Sequence, residues 1–381
     1  MNEKESLINN ILTNVAKEIS ITDTMIDKAE SSYKAVGKWI GDGIENKVLF
    51  YPQGSIGLGT TIKPISDKDD YDIDAVCLLL DGKYLSASEI KNIVGDRLKA
   101  HKLYKEKIEE EGEGKRCWTI PYEEFHMDIL PSAPLDKYLE PNHTEIRITH
   151  KNSEGQYSDK YSNPRGYIKW FDERMHDIAK KARLDHQVRN QVKIEEIPLY
   201  RIKTPLQMAI QLLKRHRDIM FTNNDEFSPI SVIITTLAAK SYNSEENVYD
   251  AIKSILEHMN DYIENRNGVV WIQNPVMAKE NFADKWQSYP CKKDAYYQWH
   301  AAAKKDFIDN PLKAVGIDDF ADMLQKSLGQ APVKRAMTNY AKGIRSAREK
   351  EKLYSAGILS GLTTNNVPGA ILDRKHTFYG K

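Results

Sequence analysis

The chain has 381 residues, enough for two domains, and its 55 Lys and Arg residues balance 55 Asp and Glu residues, so the formal net charge is zero. Neutrality excludes a protein whose whole surface coats a polyanion such as long duplex DNA, and a hydrophobic fraction of 40% excludes a disordered chain. The three cysteines form no CxxC motif, which argues against a disulfide scaffold and a zinc ribbon.

The first half of the chain predicts a mixture of helices and strands. Apolar residues at helical spacing predict two helices within residues 5–46, the second capped by Thr22 or Asp23. A short strand is predicted at 48–51, followed by a glycine-rich loop at 54–61, and a helix at 86–102. Further strands are predicted at 72–80, 118–120, 125–130 (stopped by Pro131) and 146–149.

The second half predicts mostly helices. Thr204 followed by Pro205 is a typical helix start. Further helices are predicted at 230–242, 246–264, 294–308 and 317–355. The tail after Gly361 is expected to be loose. The predicted domains are therefore 1–203, an α+β unit with N-terminal helices, and 204–381, a helical domain with a loose tail.

No segment has the features of a membrane or export signal. The N-terminus lacks the apolar run of a signal peptide. The longest apolar stretch, residues 229–239, is too short to span a bilayer. We therefore expect a cytoplasmic protein without membrane contact.

Two aspartates begin the most apolar predicted strand. Asp72 and Asp74 are two residues apart, so they share one face of that strand. Close carboxylates repel each other unless a cation neutralises them, and Mg²⁺ is commonly held by a few carboxylates, water and substrate phosphates. The pair therefore predicts a metal site. The alternative is a solvated acidic turn, because residues 67–74 contain five aspartates.

A Gly-Ser pair follows the first predicted strand. Gly54 would let the backbone approach a phosphate closely, and Ser55 would add a hydroxyl donor. The alternative is an ordinary turn, because the segment matches neither a P-loop nor a dinucleotide-binding fingerprint. Its position one loop before Asp72 favours the phosphate-binding interpretation.

Asp128 lies on a later predicted strand and shares a face with His126. It is either an acid on an edge strand or the third carboxylate of a two-metal site. Two Mg²⁺ ions bridged by three aspartates can activate an attacking hydroxyl and hold a leaving pyrophosphate.

Residues 216–223 match the HRDxxxxN pattern of a protein-kinase catalytic loop. The pattern falls at the end of an amphipathic helix, and neither a DFG nor an APE motif follows it. We therefore reject a kinase and interpret Arg217 and Asp218 as charges on the helix surface.

The helix that follows Thr204 carries a polar stripe beside its apolar one. The stripe consists of Gln207, Gln211, Lys214 and Asp218. A solvated face is the ordinary explanation, but Lys214 could clamp a triphosphate if the helix borders a cleft. Lys203 is a second candidate for that role. Ser228 is predicted to cap the next helix, where its hydroxyl could alternatively contact a phosphate.

Together these motifs resemble the DNA polymerase β-type nucleotidyltransferase superfamily, and more narrowly its bacterial cGAS/DncV-like members, the CD-NTases. The resemblance covers most of residues 22–290. The segments that carry it are 53–55, 59–64, 70–76, 126–131, 205–218, 228–238, 274–275 and 280–286.

The resemblance implies a cyclic oligonucleotide synthase of CBASS anti-phage defence, which joins nucleoside triphosphates into a cyclic di- or trinucleotide and releases pyrophosphate. It implies an α+β fold: a polymerase-β-like nucleotidyltransferase core of mixed sheet and helices with a long N-terminal spine helix, plus a C-terminal OAS/PAP-like helical domain. The bases, ring size and linkage, the activating trigger and any conjugation of the C-terminal Tyr379-Gly380-Lys381 are left open.

The resemblance also implies roles for single residues. Asp72, Asp74 and Asp128 would hold two Mg²⁺ ions, which Mn²⁺ can replace, and Asp128 would help to deprotonate the attacking hydroxyl. Gly54 and Ser55 would hold the triphosphate, with Lys214 on its helical side. The product would activate a separate effector protein, and regulatory partner proteins are a further expectation.

Three rival functions stay open. An RNA-tailing enzyme of the polyadenylate or CCA-adding type shares the fold, but it needs a basic track that a neutral chain does not favour. A nucleotidyltransferase for a small molecule or a protein is usually shorter. A non-catalytic binding module would not need Asp72, Asp74 and Asp128 together. Stable binding of long nucleic acid is not expected.

Overall fold

Two amphipathic helices open the chain and form its N-terminal spine. The computed structural model describes residues 2–66, 69–136, 144–181, 202–355, 362–363 and 371–373. Helix α1 spans Glu3–Ile19 and α2 spans Asp23–Gly41. The side chain of Thr22, one of the two predicted caps, accepts a hydrogen bond from the Met25 N–H and so begins α2.

A mixed sheet of six strands forms the centre of the first half. The strands are β1 (Val48–Pro52), β2 (Tyr71–Leu79), β3 (Trp118–Pro121), β4 (Phe125–Pro134), β5 (Ile146–Lys151) and β6 (Tyr157–Ser162). Their order is β1-β2-β4-β5-β6, and β3 also pairs with β4. Strands β2 and β4 are parallel, whereas the other pairs are antiparallel.

Two features of the sheet differ from the sequence prediction. The predicted stop of β4 at Pro131 is wrong, because Pro131 suits an extended strand and β4 continues beyond it to pair with β5. Strand β6 was not predicted because its side chains are polar and largely exposed, so it carries no alternating apolar signal.

Four helices are attached to this sheet. They are α3 (Gly54–Gly57), α4 (Ala87–Lys99), α5 (Lys102–Glu111) and α6 (Pro164–Arg174). Helix α4 corresponds to the predicted helix at 86–102, and Ser86 with Glu89 forms its capping box. The predicted glycine-rich loop begins with the single helical turn of α3.

Helices dominate the second half, as the sequence predicts. They are α7 (Pro205–Met220), α8 (Ser231–Ser241), α9 (Val248–His258), α10 (Lys285–Ser288), α11 (Pro290–Lys304), α12 (Asn310–Lys313), α13 (Ile317–Leu328) and α14 (Gln330–Glu349). A π-helical turn at Lys305–Asp309 joins α11 to α12. The predicted helix 317–355 is divided at Gly329, whose φ of +94° does not continue a right-handed helix.

The predicted helix 246–264 ends earlier than expected. Helix α9 ends at His258, a 3₁₀ helix follows at Met259–Tyr262, and the chain then forms β7 (Glu264–Arg266) with β8 (Val269–Trp271). A second hairpin pairs β9 (Gln273–Asn274) with β10 (Met277–Asn281). This second hairpin contributes to the candidate site below.

The hydrophobic residues divide the molecule differently from the predicted domains. One face of β2, with Ile73 and Cys77, packs on a cluster that includes residues of α2 and α4. Helix α1 instead packs against α7, α9 and α14, and Ile11 and Leu12 are fully buried there. The domain boundary at residue 203 stays a prediction, and α1 shares its core with helices of the second half.

The end of the chain forms a small sheet. Strand β11 (Tyr354–Ser355) pairs with β12 (Leu362–Thr363) and β13 (Ile371–Leu372). The rest of the predicted loose tail after Gly361, including Tyr379-Gly380-Lys381, lies outside the described residues. Within the described ranges, no helix combines the length and the apolar character needed to cross a membrane.

Candidate active site

The three predicted aspartates come from two adjacent parallel strands. Asp72 and Asp74 lie at the start of β2, on the face that Val76 and Leu78 occupy further along the strand. In the parallel register, Asp74 of β2 is paired with Asp128 of β4. Since neighbouring strands are about 4.8 Å apart, this register brings the two carboxylates onto one face at short range.

Burial and mutual repulsion disfavour the charged forms of the β2 carboxylates. Burial, together with the charges of Asp128 and Asp72, raises the pKa of Asp74 to about 7. Burial also raises the pKa of Asp72, and Asp128 adds to this effect. A cation would relieve this repulsion, so the pair has the electrostatic character of a cation site.

Asp128 is oriented by a neighbouring hydroxyl. The Thr119 Oγ1 donates a hydrogen bond of 2.5 Å to Asp128 Oδ1. In the part of the chain that the structure describes, no three His, Cys, Asp or Glu side chains converge closely enough to enclose a metal ion. Mg²⁺ is commonly held by one or two protein carboxylates with water and substrate phosphates. Asp72 and Asp74 therefore fit this ion without a closed protein cage.

A glycine is required at position 54 because the Asp74 carboxylate lies directly beside it. Its φ is +59°, and a Cβ added at this position would lie 2.1 Å from Asp74 Oδ2. The Gln53 N–H donates to the Asp74 carbonyl (2.9 Å), which fixes the start of α3 next to β2. Thus the predicted Gly-Ser segment does border the aspartates. Ser55, whose Oγ lies 3.0 Å from Thr61 Oγ1, lines the same cavity.

Three of the four residues of the polar stripe of α7 are buried (Gln207, Gln211 and Lys214), and they hold the segment that follows α3. Gln207 Nε2 donates to the Leu58 carbonyl (2.9 Å), and Gln211 Nε2 donates to the Thr61 carbonyl (2.7 Å). The ordinary expectation of a solvated face is therefore wrong for these side chains. We call residues 58–64 the held segment, because α7 side chains bind most of its carbonyl groups.

Lys214 is part of the same arrangement. Its side chain lines the cavity although the residue is only 6% exposed, and its Nζ donates to the Thr60 carbonyl (3.1 Å). Burial, together with the charge of Arg217, lowers the pKa of Lys214 to about 8. It therefore lies in the same cavity as Asp72 and Asp74, and its contact with a triphosphate stays a prediction.

The other two predicted nucleotide contacts lie elsewhere. Lys203 Nζ donates to the Gly59 carbonyl (2.6 Å) and lines a second cavity next to α2. Burial lowers its pKa to about 8. The prediction that Ser228 caps a helix is wrong, because its N–H closes the 3₁₀ turn at Asp225–Phe227 and α8 begins after Ile230. Ser231, not Ser228, lines the cavity of the aspartates.

An open cavity of about 480 Å³ lies over the aspartates. Its lining comes from both halves of the chain: β2, α3, the held segment and α6 from the first half, and α7, α8 and the β9–β10 hairpin from the second. This volume lies within the usual range for small-molecule sites. Asp128 is not among the residues that line it.

Several residues that line the cavity had no role in the sequence prediction. Arg217 and Asp218 were interpreted as surface charges, but both line the cavity. Arg217 Nε donates to Asp218 Oδ1 (2.7 Å), and its Nη1 donates to Ser231 Oγ (2.9 Å). Their HRD pattern suggested only a kinase, so no usable signal identified them. Asn274 and Glu280 belonged to the quoted resemblance without an assigned role.

Comparisons with known proteins identify the class. Residues 48–131 match the family model "Cyclic GMP-AMP synthase DncV-like, nucleotidyltransferase domain". The c-di-GMP synthase of Roseivirga ehrenbergii is 31% identical, over 97% of this chain and 96% of that protein. The cyclic dinucleotide synthase CdnG of Bradyrhizobium diazoefficiens is 25% identical, over 97% of this chain and 94% of that protein.

A solved structure agrees with the fold. The structure of the Bradyrhizobium diazoefficiens CD-NTase CdnG in complex with GTP has a TM-score of 0.69 to this chain at 20% identity, and the match covers 88% of this chain and 99% of that one. The chain therefore belongs to the bacterial CD-NTase family, and it is a nucleotidyltransferase with an α+β, polymerase-β-like fold. The family, fold and enzyme class predicted from the motifs are confirmed.

Proposed function

We propose that this enzyme joins two GTP molecules into c-di-GMP and releases two pyrophosphates. The observation that carries the proposal is that Asp72 and Asp74 line a cavity together with residues of α7, α8 and the β9–β10 hairpin of the second half. The choice of guanine is supported by the 31% identity to a protein named c-di-GMP synthase.

The residues of the cavity suit nucleotidyl transfer. A ribose hydroxyl of one nucleotide attacks the α-phosphorus of the other, so that an O–P bond forms and the bond to the leaving pyrophosphate breaks. Asp128 does not line the cavity itself, but it lies beside Asp74 on β4 and is oriented by Thr119, and we assign it the role of accepting the hydroxyl proton. Lys214 and the backbone at Gly54 and Ser55 hold the triphosphate. In a second transfer the roles are exchanged: a ribose hydroxyl of the other nucleotide attacks the remaining α-phosphorus, which closes the ring and releases the second pyrophosphate.

Two Mg²⁺ ions, or Mn²⁺ in their place, belong to this proposal. Asp72 and Asp74 would hold them, with Asp128 beside them on β4. Bound there, the ions would supply charge stabilisation for the attacking oxygen and the leaving pyrophosphate. The raised pKa values of Asp72 and Asp74 support this assignment, because they reflect carboxylates that lack a neutralising charge.

The cavity also favours a short cyclic product over a long RNA. The described lining contains three cationic side chains, of Lys63, Lys214 and Arg217. It contains five carboxylates, of Asp70, Asp72, Asp74, Asp218 and Glu280. A polyanion would be repelled by such a surface. A dinucleotide that turns within the cavity needs no basic exit track.

The biological setting is part of the same proposal. The enzyme would act in the cytoplasm within a CBASS anti-phage system, where its product activates a separate effector protein. Regulatory partner proteins would set when it is active. Its family membership supports this role.

Incubation of the purified enzyme with GTP and Mg²⁺, without RNA or another acceptor, tests the proposal. We expect a phosphatase-resistant product with the mass of c-di-GMP, and two pyrophosphates for each product molecule. ATP, CTP and UTP, offered alone and in pairs, provide the comparison. A product with a free terminal phosphate, or a requirement for RNA or a small-molecule acceptor, would reject cyclisation and favour one of the rival transferases.

A further inference from the structure

One carboxylate in the cavity lies far in sequence from the predicted metal ligands. Glu280 is on β10 in the second half of the chain and lines the same cavity as Asp72 and Asp74. Phe282, two residues later, also lines it, and the Phe282 ring centroid is 6.4 Å from that of Tyr167, another lining residue. The cavity therefore combines a carboxylate with an aromatic wall, which suits a flat polar ring.

The Glu280 carboxylate is held in one orientation. Asn274, which is only 5% exposed, donates from Nδ2 to Glu280 Oε2 (2.6 Å). The Asn274 Oδ1 in turn accepts from the Val276 N–H (3.0 Å), so the amide cannot rotate without losing a bond. Buried side chains fixed in this way hold a binding group ready for its ligand.

Glu280 differs from the other lining carboxylates outside β2 in its partners. Asp70 is paired with His126 (3.3 Å) and Asp218 with Arg217 (2.6 Å). Across the described residues, Glu280 has no cationic partner, and its Oε1 has no hydrogen-bond donor. Each carboxylate oxygen has two lone pairs, so Oε2 can accept a second hydrogen bond besides that from Asn274, and the two oxygens together can accept from two adjacent donors of a ligand.

We infer that Glu280 recognises the Watson–Crick edge of a guanine base, with Asn274 as its positioning residue. Guanine presents two adjacent donors, N1–H and the 2-amino group, which a carboxylate accepts together. Adenine has an acceptor at N1 and no 2-amino group, so it would leave the carboxylate unpaired. This inference rests on the proposed function and assigns the residue that selects its base.

Inosine triphosphate provides a sharp test, because it differs from GTP only in lacking the 2-amino group. We expect the wild-type enzyme to prefer GTP over inosine triphosphate. In Glu280→Gln, kcat/KM for GTP should fall about ten- to a hundred-fold, the usual effect of one charged hydrogen bond. The preference for GTP over inosine triphosphate should fall toward one. Asn274→Ala should reduce the same preference less strongly.

Glu264→Gln is the matched control, because Glu264 is an exposed carboxylate on β7 outside the cavity. Glu264→Gln should leave kcat/KM unchanged for both GTP and inosine triphosphate. Thermal unfolding must show that each variant is folded, and Glu280→Asp replaces Glu280→Gln if the latter is not. An unchanged preference in a folded Glu280 variant would overturn the inference.

Calorimetric titration of GTP and inosine triphosphate into the wild type and Glu280→Gln separates the two proposals. If the wild type makes no cyclic product, the proposed function fails, whereas the titration still reports the base contact. A wild type that makes c-di-GMP, together with a Glu280→Gln variant that keeps the full difference in affinity, rejects only the role of Glu280.

Discussion

Gly54 lies against the carboxylate of Asp74, so closely that a methyl group at residue 54 would come within 2.1 Å of Asp74 Oδ2. The Gly54 backbone also has a φ of +59°, which side-chain-bearing residues rarely adopt. The contact with the Asp74 carboxylate is therefore sufficient to require glycine at position 54, whether or not a nucleotide is bound. The segment that would hold the phosphate and the aspartate that would hold the metal form one unit.

Gly54→Ala should reduce nucleotidyl transfer severely, because it displaces Asp74. It should also lower the free energy of unfolding by about 1–2 kcal/mol through its left-handed backbone. Gly41→Ala at the end of α2 is the control, since nothing lies within 4 Å of the added methyl group. Steady-state rates and denaturant unfolding test both variants. Full activity in Gly54→Ala would show that Asp74 does not need this position.

The double variant Asp72→Asn/Asp74→Asn should lose transfer and keep its fold. Both carboxylates have raised pKa values, so their contribution to the stability of the metal-free protein is lost as the pH rises from about 4 to about 7. The double variant has no carboxylates at these two positions, so its stability does not fall for this reason as the pH rises. With EDTA present, its melting temperature should exceed that of the wild type at about pH 8, and by less at about pH 5.5.

Asp96→Asn, at an exposed carboxylate on α4, is the control for the loss of a carboxylate charge outside the site. It should alter neither activity nor the pH dependence of melting. If the melting difference between the double variant and the wild type did not depend on pH, or if the double variant still consumed GTP at the wild-type rate, the assignment of this pair would be wrong.

Lys214→Met should affect both folding and substrate binding. It leaves the Thr60 carbonyl without its donor, which costs about 1–3 kcal/mol of unfolding free energy. It also removes a positive charge from the cavity, so KM for the triphosphate should rise. Gln211→Met is the matched variant, since it removes one donor to the held segment (the Thr61 carbonyl) but no charge. A similar increase of KM in both variants would mean that Lys214 acts only through the held segment.

The sequence predicts features that depend on neighbouring residues, but it does not predict contacts with residues far away along the chain. The shared face of Asp72 and Asp74 follows from strand periodicity alone, so it could be predicted. The buried stripe of α7 could not, because Gln207 and Gln211 have the same spacing whether they face water or backbone carbonyls. The prediction that Ser228 caps the next helix failed for another reason. Helix α8 begins at Ser231 without a side-chain cap, so no capping residue in the sequence marks its start.

Added RNA should not stimulate the enzyme, and its turnover of GTP should depend weakly on salt. The cations in the described lining already have partners: Lys63 donates to the Glu18 carbonyl (3.0 Å), Lys214 to that of Thr60 and Arg217 to Asp218. An enzyme that followed an RNA backbone through 6–10 phosphate contacts would lose about 10³–10⁵ in affinity between roughly 50 and 200 mM salt. A cavity that takes two mononucleotides makes fewer such contacts, so KM for GTP should rise far less over this range. Rates measured across the salt series, with and without an oligoadenylate primer, distinguish a synthase that uses two mononucleotides from an enzyme that extends RNA. Stimulation by the primer together with a steep salt dependence would identify an RNA-tailing enzyme.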